Sequence, residues 1–167
     1  MFKKAEKMNM LDKDILKTLL AKDDISIYEL NKTLGNKNYV TVLRHVHKML
    51  DDSVLKLRSS RSKRNAELLE VTGKGIATLL LRGNLSKQEL FQIDLKASKL
   101  DFPNLLHIER DLLAEVFVDS LVEIRPKVNL EFFDEEWFRH VWFEATGKAM
   151  VKAIKKHEKQ FEEKGIW

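Results

Sequence analysis

Lys37-Asn38-Tyr39-Val40-Thr41-Val42-Leu43-Arg44-His45-Val46-His47-Lys48-Met49-Leu50 is the stretch on which the reading of the chain turns. As a helix it places Tyr39, Val42, Leu43, Val46, Met49 and Leu50 on one side at three- and four-residue spacing. The other side carries Lys37, Asn38, Thr41, Arg44, His45 and Lys48. Cations, a histidine and small hydrogen-bonding side chains suit a helix whose back rests on a core while its front meets phosphates and base edges. The same inventory also suits an amphipathic helix with a solvated face, so the flanking segments decide.

Upstream, Ser26-Ile27-Tyr28-Glu29 has the spacing of a capping box, in which hydroxyl and carboxylate satisfy each other's backbone donors. The helix it opens carries Ile27, Leu30 and Leu34 on one face and ends at Gly35, which suits a left-handed cap. Gly35-Asn36-Lys37 is then a tight turn between two short helices, a helix-turn-helix. Downstream, Ser53 to Arg58 reads as a strand and Ser59 to Asn65 as a polar, basic tip. Ala66 to Val71 reads as the return strand. Helix, turn, helix and basic-tipped hairpin together predict a winged helix.

These residues resemble a family. Ile25 to Gly35 is similar to the "T-x-x-E-L-A-x-x-L-G" helix of winged helix-turn-helix regulators, and Thr41 to Leu50 to their "T-V-S-R-H-L-x-x-L" recognition helix. Val54-Leu55-Lys56-Leu57 stands where the family has "G-L-I-x-R", and Val71-Thr72-Gly73-Lys74-Gly75 resembles "L-T-x-x-G". The resemblance covers about residues 10 to 82, and its nearest group is the MarR- and PadR-like transcriptional regulators. A lysine-rich, cysteine-free composition adds an archaeal character. Ser53 departs from the family's glycine before the wing strand, and Asn38-Tyr39 from its small residues at the start of the recognition helix.

Charge is unevenly placed. The 167 residues carry a formal net charge of only +4, yet residues 36–65 hold 8 basic side chains against Asp51 and Asp52 as the only acids. A positive charge focused on one helix and one hairpin points to nucleic acid, where a diffuse one would not. Apolar residues at 44% supply a core. The absence of cysteine excludes disulfide and thiolate chemistry and fits a cytoplasmic protein. No apolar run is long enough for a membrane span, and the first residues lack the apolar core of a signal peptide.

The expected fold is mainly α with a small β-hairpin wing, in two parts: a winged helix-turn-helix domain over residues 1–83 and an all-α dimerisation or effector region over 84–167. A first helix over residues 8 to 21 turns Leu11, Ile15, Leu16, Leu19 and Leu20 inward, with Asp12 or Asp14 favouring its first turn. Thr72 caps a helix to Arg82, and Gly83-Asn84 breaks it. Ser86-Lys87-Gln88-Glu89 is a second capping box, opening a helix to about Lys99. Pro103 suits the first turn of a helix over 104–124, which is apolar nearly all round in its later half and so expected to be buried on all sides. A last helix runs from Asp134 to about Lys164, with Gly147 expected to mark a kink or a break.

That last helix carries two apolar stripes. Phe138, Val141, Trp142, Ala145, Ala149 and Ala153 form one; Phe143, Met150, Ile154 and Phe161 form the other. One stripe fits the helix's own subunit and the other a second copy, so Trp137, Val141, Trp142, Phe143, Met150, Ile154 and Phe161 are the candidate dimerisation residues. Dimerisation through C-terminal helices is also what the resemblance implies. Trp137, Phe138, Trp142 and Phe143 could together line a small-molecule effector pocket, although plain core is the commoner use of such a cluster.

No catalytic or cofactor motif is present, and no metal site is expected. His45 and His47 diverge on a helix, and His140 with Glu144 lack a third ligand. The chain is therefore expected to be a non-enzymatic regulator binding double-stranded DNA, as a homodimer and without a cofactor. The DNA-facing residues are Lys37, Asn38, Thr41, Arg44, His45 and Lys48 of the helix over 38–51, with Arg61, Lys63 and Arg64 of the wing over 59–65. The alternative is a winged helix serving protein assembly, which needs no basic front.

Overall fold

The computed structural model describes residues 7–22, 24–35, 38–60, 66–86, 88–90 and 110–163, with the backbone alone for Arg110, Asp111, Leu113, Gln160 and Phe161. The described residues are mainly helical with one small two-stranded antiparallel sheet. The chain divides into two compact units, Met1–Leu85 and Ser86–Trp167. None of the described helices is long and apolar enough to cross a membrane.

In the first unit, helix α1 (Met10–Ala21) begins at Asn9, whose side-chain oxygen accepts the Leu11 N–H at 2.8 Å. Its apolar spacing buries Ile15, Leu16, Leu19 and Leu20. Helix α2 (Ile27–Thr33) opens with the capping box formed in full: Ser26 Oγ accepts from Glu29 N at 3.2 Å, and Glu29 Oε2 from Ser26 N at 2.9 Å. Gly35 ends it in the left-handed region, φ +86°, and its N–H donates to the Lys32 carbonyl. Helix α3 (Tyr39–Asp51) buries Val42, Val46 and Met49. Tyr39, expected on the inner face, is 43% exposed, because as the first helical residue it precedes the part of the helix that meets the core.

Strand β1 (Leu55–Ser60) pairs antiparallel with β2 (Ala66–Val71), Leu55 opposite Val71 and Ser60 opposite Ala66. The hairpin tip, residues 61–65, lies outside the described residues. A single antiparallel bridge adds Ile25, just ahead of α2, to the outer edge at Leu69. Helix α4 (Gly73–Arg82) then returns Ile76, Leu79 and Leu80 to the core.

The strand expected from Ser53 starts two residues later, and the cause is the end of α3. Ser53 has φ +59°. Its N–H donates to the Leu50 carbonyl at 3.1 Å and that of Val54 to Met49 at 2.9 Å, the paired bonds of a Schellman cap. The residue between cap and strand thus occupies the conformation that glycine adopts freely and an L side chain resists. Thr72 ties this turn to α4. Its hydroxyl lies 2.6 Å from the Ser53 carbonyl and 3.0 Å from that of Val54, and also accepts the Gly75 N–H. Gly75 is required by close approach: a Cβ there would stand 2.3 Å from the Val54 carbonyl oxygen and 2.7 Å from Val71 Cγ1.

In the second unit the capping box at Ser86 and Glu89 is formed, with bonds of 3.1 and 3.2 Å. The expected helix is described only to Leu90; its continuation to Lys99, the loop at Pro103 and the helix start at Asn104 lie outside the described residues. Helix α5 (Arg110–Ile124) leads through a 3-10 turn, Arg125–Lys127, to α6 (Glu135–Lys156) and the short α7 (Glu158–Glu163). The Asp134 side chain caps α6, accepting from Trp137 N at 2.7 Å. The last helix is not continuous: it runs unbroken past Gly147 and ends at His157 instead. Gly147 is exposed, with open space where a Cβ would project, so helical backbone is tolerated there at the ordinary cost of a glycine.

Helices α5 and α6 pack antiparallel. The ring centroids of Phe117 and Trp142 lie 5.7 Å apart and those of Phe138 and Trp142 6.1 Å. Ala145, Ala149 and Ala153 continue the buried stripe. Beside it runs a ladder of charges one helical turn apart: Glu115 to Lys156 at 2.8 Å, Asp119 to Lys152 at 3.8 Å and Glu123 to Lys148 at 3.5 Å. Helix α5 is not covered all round, contrary to what its apolar composition predicts. Val118 and Val122 are 47% and 64% exposed, one turn apart on a flank that α6 does not reach.

The strained turn and the close approach at Gly75 respond oppositely to substitution. Ser53→Gly relieves the left-handed turn and stabilises by about 0.5–1 kcal/mol, whereas Gly75→Ala overpacks the α4–hairpin junction and costs about 1–3 kcal/mol. Denaturant midpoints of the two variants read this, and a destabilising Ser53→Gly refutes the strain. Separately, Lys156 and then His157 hydrogen-bond the Glu115 carboxylate and hold its pKa below the ordinary value. A depressed carboxylate pKa contributes stability that is complete above the carboxylate range and lost as pH falls through it. Glu115→Gln therefore destabilises at neutral pH, and the gap to the parent closes towards about pH 3; a gap independent of pH contradicts the assignment.

Candidate nucleic-acid interface

Three constraints set which side of α3 faces outward. Val42, Val46 and Met49 are packed inward. The Asn38 side chain caps the first turn, its Oδ1 accepting from Thr41 N at 3.3 Å. On the flank towards α1, His45 Nδ1 lies 2.7 Å from Asp12 Oδ1, both side chains about three-quarters buried. With these in place the exposed positions of the helix are Tyr39, Val40, Arg44, His47, Lys48 and Asp51, and Thr41 is half-buried beside them. Successive positions one turn apart form a stripe, so Val40, Arg44 and Lys48 line the outer crest of the helix.

The sequence-expected residues therefore divide. Arg44 and Lys48 stand on the crest, and neither is ion-paired to another described residue. Thr41 is at its edge. Asn38 sits at the entry of the helix with its carbonyl oxygen committed to the cap, leaving its amide as the outward donor. His45 is turned from the crest to α1, an interaction spanning 33 residues of sequence. Lys37, Arg61, Lys63 and Arg64 lie outside the described residues. Val40, 71% exposed, and His47 are crest residues that the sequence reading leaves out. The helical stripe through Arg44 and Lys48 also passes through Val40, and that spacing was the available signal.

Not every cation of this region is free. On the hairpin, Lys56 Nζ lies 3.7 Å from Glu70, its register partner, and Arg58 lies 3.7 Å from Glu70 and also engages Asp24. These pairs tie the hairpin to itself and to the segment ahead of α2. Arg44 and Lys48 on the α3 crest form no such pair with a described residue.

In the second unit the candidate dimerisation residues also divide. Trp142 is 1% exposed and belongs to the unit's own core, against the expectation that it serves an interface. Its indole fills the space between Phe117 and Phe138, which is the reason. Val141 is half-buried. Phe143 is 63% exposed, with Met150 and Ile154 half-buried further along the same side of α6, and Trp137 is 44% exposed near its start. The Phe161 side chain is outside the described ones. The four aromatics do not converge on a cavity: Phe138 and Trp142 are buried while Trp137 and Phe143 are exposed. Among the described residues no group of three His, Cys, Asp or Glu side chains is placed to hold a metal ion. No protein-family model, no curated protein and no solved structure matches the chain.

Because Arg44 and Lys48 have no ion-pair partner among the described residues, Arg44→Ala and Lys48→Ala should each move stability by less than about 0.5 kcal/mol. Asp12→Ala, which strands His45, should cost about 1 kcal/mol. Chemical denaturation of the three variants measures this, and the reverse order would make the crest a structural element rather than a free surface.

Proposed function

We propose that the chain is a DNA-binding transcriptional regulator whose first unit is a winged helix. The order α1, edge bridge, α2, tight turn, α3, hairpin, α4 supports that reading of the fold. The observation that carries the function is the crest of α3, where Arg44 and Lys48 stand exposed and without an ion pair to any described residue. The helix beneath them is anchored by Val42, Val46, Met49 and the His45–Asp12 bond. Such a helix enters the major groove, Arg44 and Thr41 meeting base edges and Lys48 a phosphate. The basic tip Arg61, Lys63 and Arg64 reaches the adjacent backbone or minor groove.

The second unit makes the active species a homodimer, through the side of α6 that carries Phe143, Met150 and Ile154. In its support, Phe143 is exposed although the opposite side of the same helix is fully used by the unit's own core. A two-fold dimer presents two α3 helices to successive half-sites. The role is binding, with no chemical step and no cofactor.

The test is a salt titration of affinity for a random duplex and for the DNA upstream of the protein's own coding sequence. Changing Arg61, Lys63 and Arg64 together to Ala lowers both affinities and flattens the log–log salt slope by about 0.9 for each phosphate that is no longer neutralised. Arg44→Ala mainly lowers the specific affinity. Binding of both duplexes weaker than about 10⁻⁴ M at physiological salt sinks the proposal.

A further inference from the structure

Val40 is the anomaly of the α3 crest. It is an apolar, β-branched side chain 71% exposed in the first turn of the helix, one turn ahead of Arg44. Valine there contributes neither burial nor good helix propensity, so nothing among the described residues of its unit accounts for it. A lone exposed valine is common on protein surfaces. This one, however, shares its stripe with Arg44 and Lys48, and the positive charge around it selects a polyanion as the occupant rather than an apolar peptide. It also lies towards the N-terminal end of α3, the part of a recognition helix that meets base edges.

We infer that Val40 and Arg44 act as a pair that sets base preference, Val40 packing on a thymine C5-methyl and Arg44 holding the O6 and N7 of a guanine. This rests on the DNA-binding reading above and adds the sequence class that the site prefers. Two side chains one turn apart project about 6 Å apart along the helix. Base pairs stack at about 3.4 Å, so the two side chains fall on positions one or two steps apart. Thymine is the only base that presents a methyl group in the major groove, and guanine the only one with two adjacent acceptors there. The preferred half-site therefore contains a thymine and a guanine within two base pairs. Thr41, half-buried at the edge of the crest, and the exposed His47 reach neighbouring backbone or bases but lack this apolar-plus-fork combination.

The experiment selects binding sites for the full chain from duplexes with a randomised centre, then replaces thymine by uracil at the enriched position, which removes the methyl alone. The parent protein should bind about fourfold more weakly after the swap, the worth of one buried methyl group. Val40→Ala should be nearly indifferent to it, and Arg44→Ala should show discrimination at the guanine reduced by tenfold or more. An enriched site without this thymine–guanine pair, or a uracil swap that costs both proteins equally, overturns the inference while leaving DNA binding intact. Failure to enrich any site, with no binding in the salt titration, removes both. Val40→Ala is an exposed helix position where alanine is the better helix former, so loss of fold does not confuse the comparison.

Discussion

The junction of Ser53, Val54 and Thr72 is the constraint on which the first unit depends. Here the end of α3, the start of the hairpin and the start of α4 meet at two backbone carbonyls. Thr72 serves three purposes at once. It caps α4, bonds the turn, and holds the return strand in place through its own N–H to Val54. Gly75 then lets α4 close on the Val54 carbonyl at a distance no side chain permits. The angle between α3 and the hairpin is thus set by short-range bonds, not by the looser packing of apolar surfaces. Anything that the α3 crest and the hairpin touch together inherits that angle.

Local signals in the sequence were the most legible. Both capping boxes and the Gly35 cap follow from residues within a few positions of each other, where sequence spacing is spatial spacing. Ser53 was legible as an oddity but not as a conformation, since serine does not announce a positive φ as glycine does. The pairing of His45 with Asp12 was not legible, because no periodicity links residues 33 positions apart. Phe143 on one side of α6 and Trp142 on the other followed from helical periodicity. Which of two neighbouring aromatics faces inward followed only from where α5 lies.

Lysine has opposite uses in the two units, and a count of charges does not separate them. On α6, Lys148, Lys152 and Lys156 face Glu123, Asp119 and Glu115 and are consumed by the fold. On α3, Arg44 and Lys48 form no ion pair with a described residue, although Asp51 and Asp52 follow Lys48 within one turn. The difference is carried by what lies opposite. Acidic residues at four-residue spacing on α5 match the lysines on α6 in antiparallel order, a correspondence that is visible in the sequence once the two helices are known to be neighbours. Exposed pairs of this kind contribute little singly, so their arrangement matters more for how the helices align than for how strongly they hold.

That arrangement has a periodic ambiguity. Since the rungs are one turn apart on both helices, sliding α6 by four residues would set Glu115 against Lys152 and Asp119 against Lys148, keeping two of the three rungs. Electrostatics alone therefore acts like the teeth of a rack: it favours whole-turn steps and prefers the three-rung setting by one exposed pair and the like-charge contact of Glu123 with Glu144 that the slide creates. Shape adds to that preference. Trp142 meets Phe117 of α5 in the observed setting, and a step of one turn would carry the indole, together with Phe138 on the same helix, away from that ring. Removing the indole would take away that contact and leave the repeating charge match less opposed, so the ring helps to turn a periodic match into a single setting.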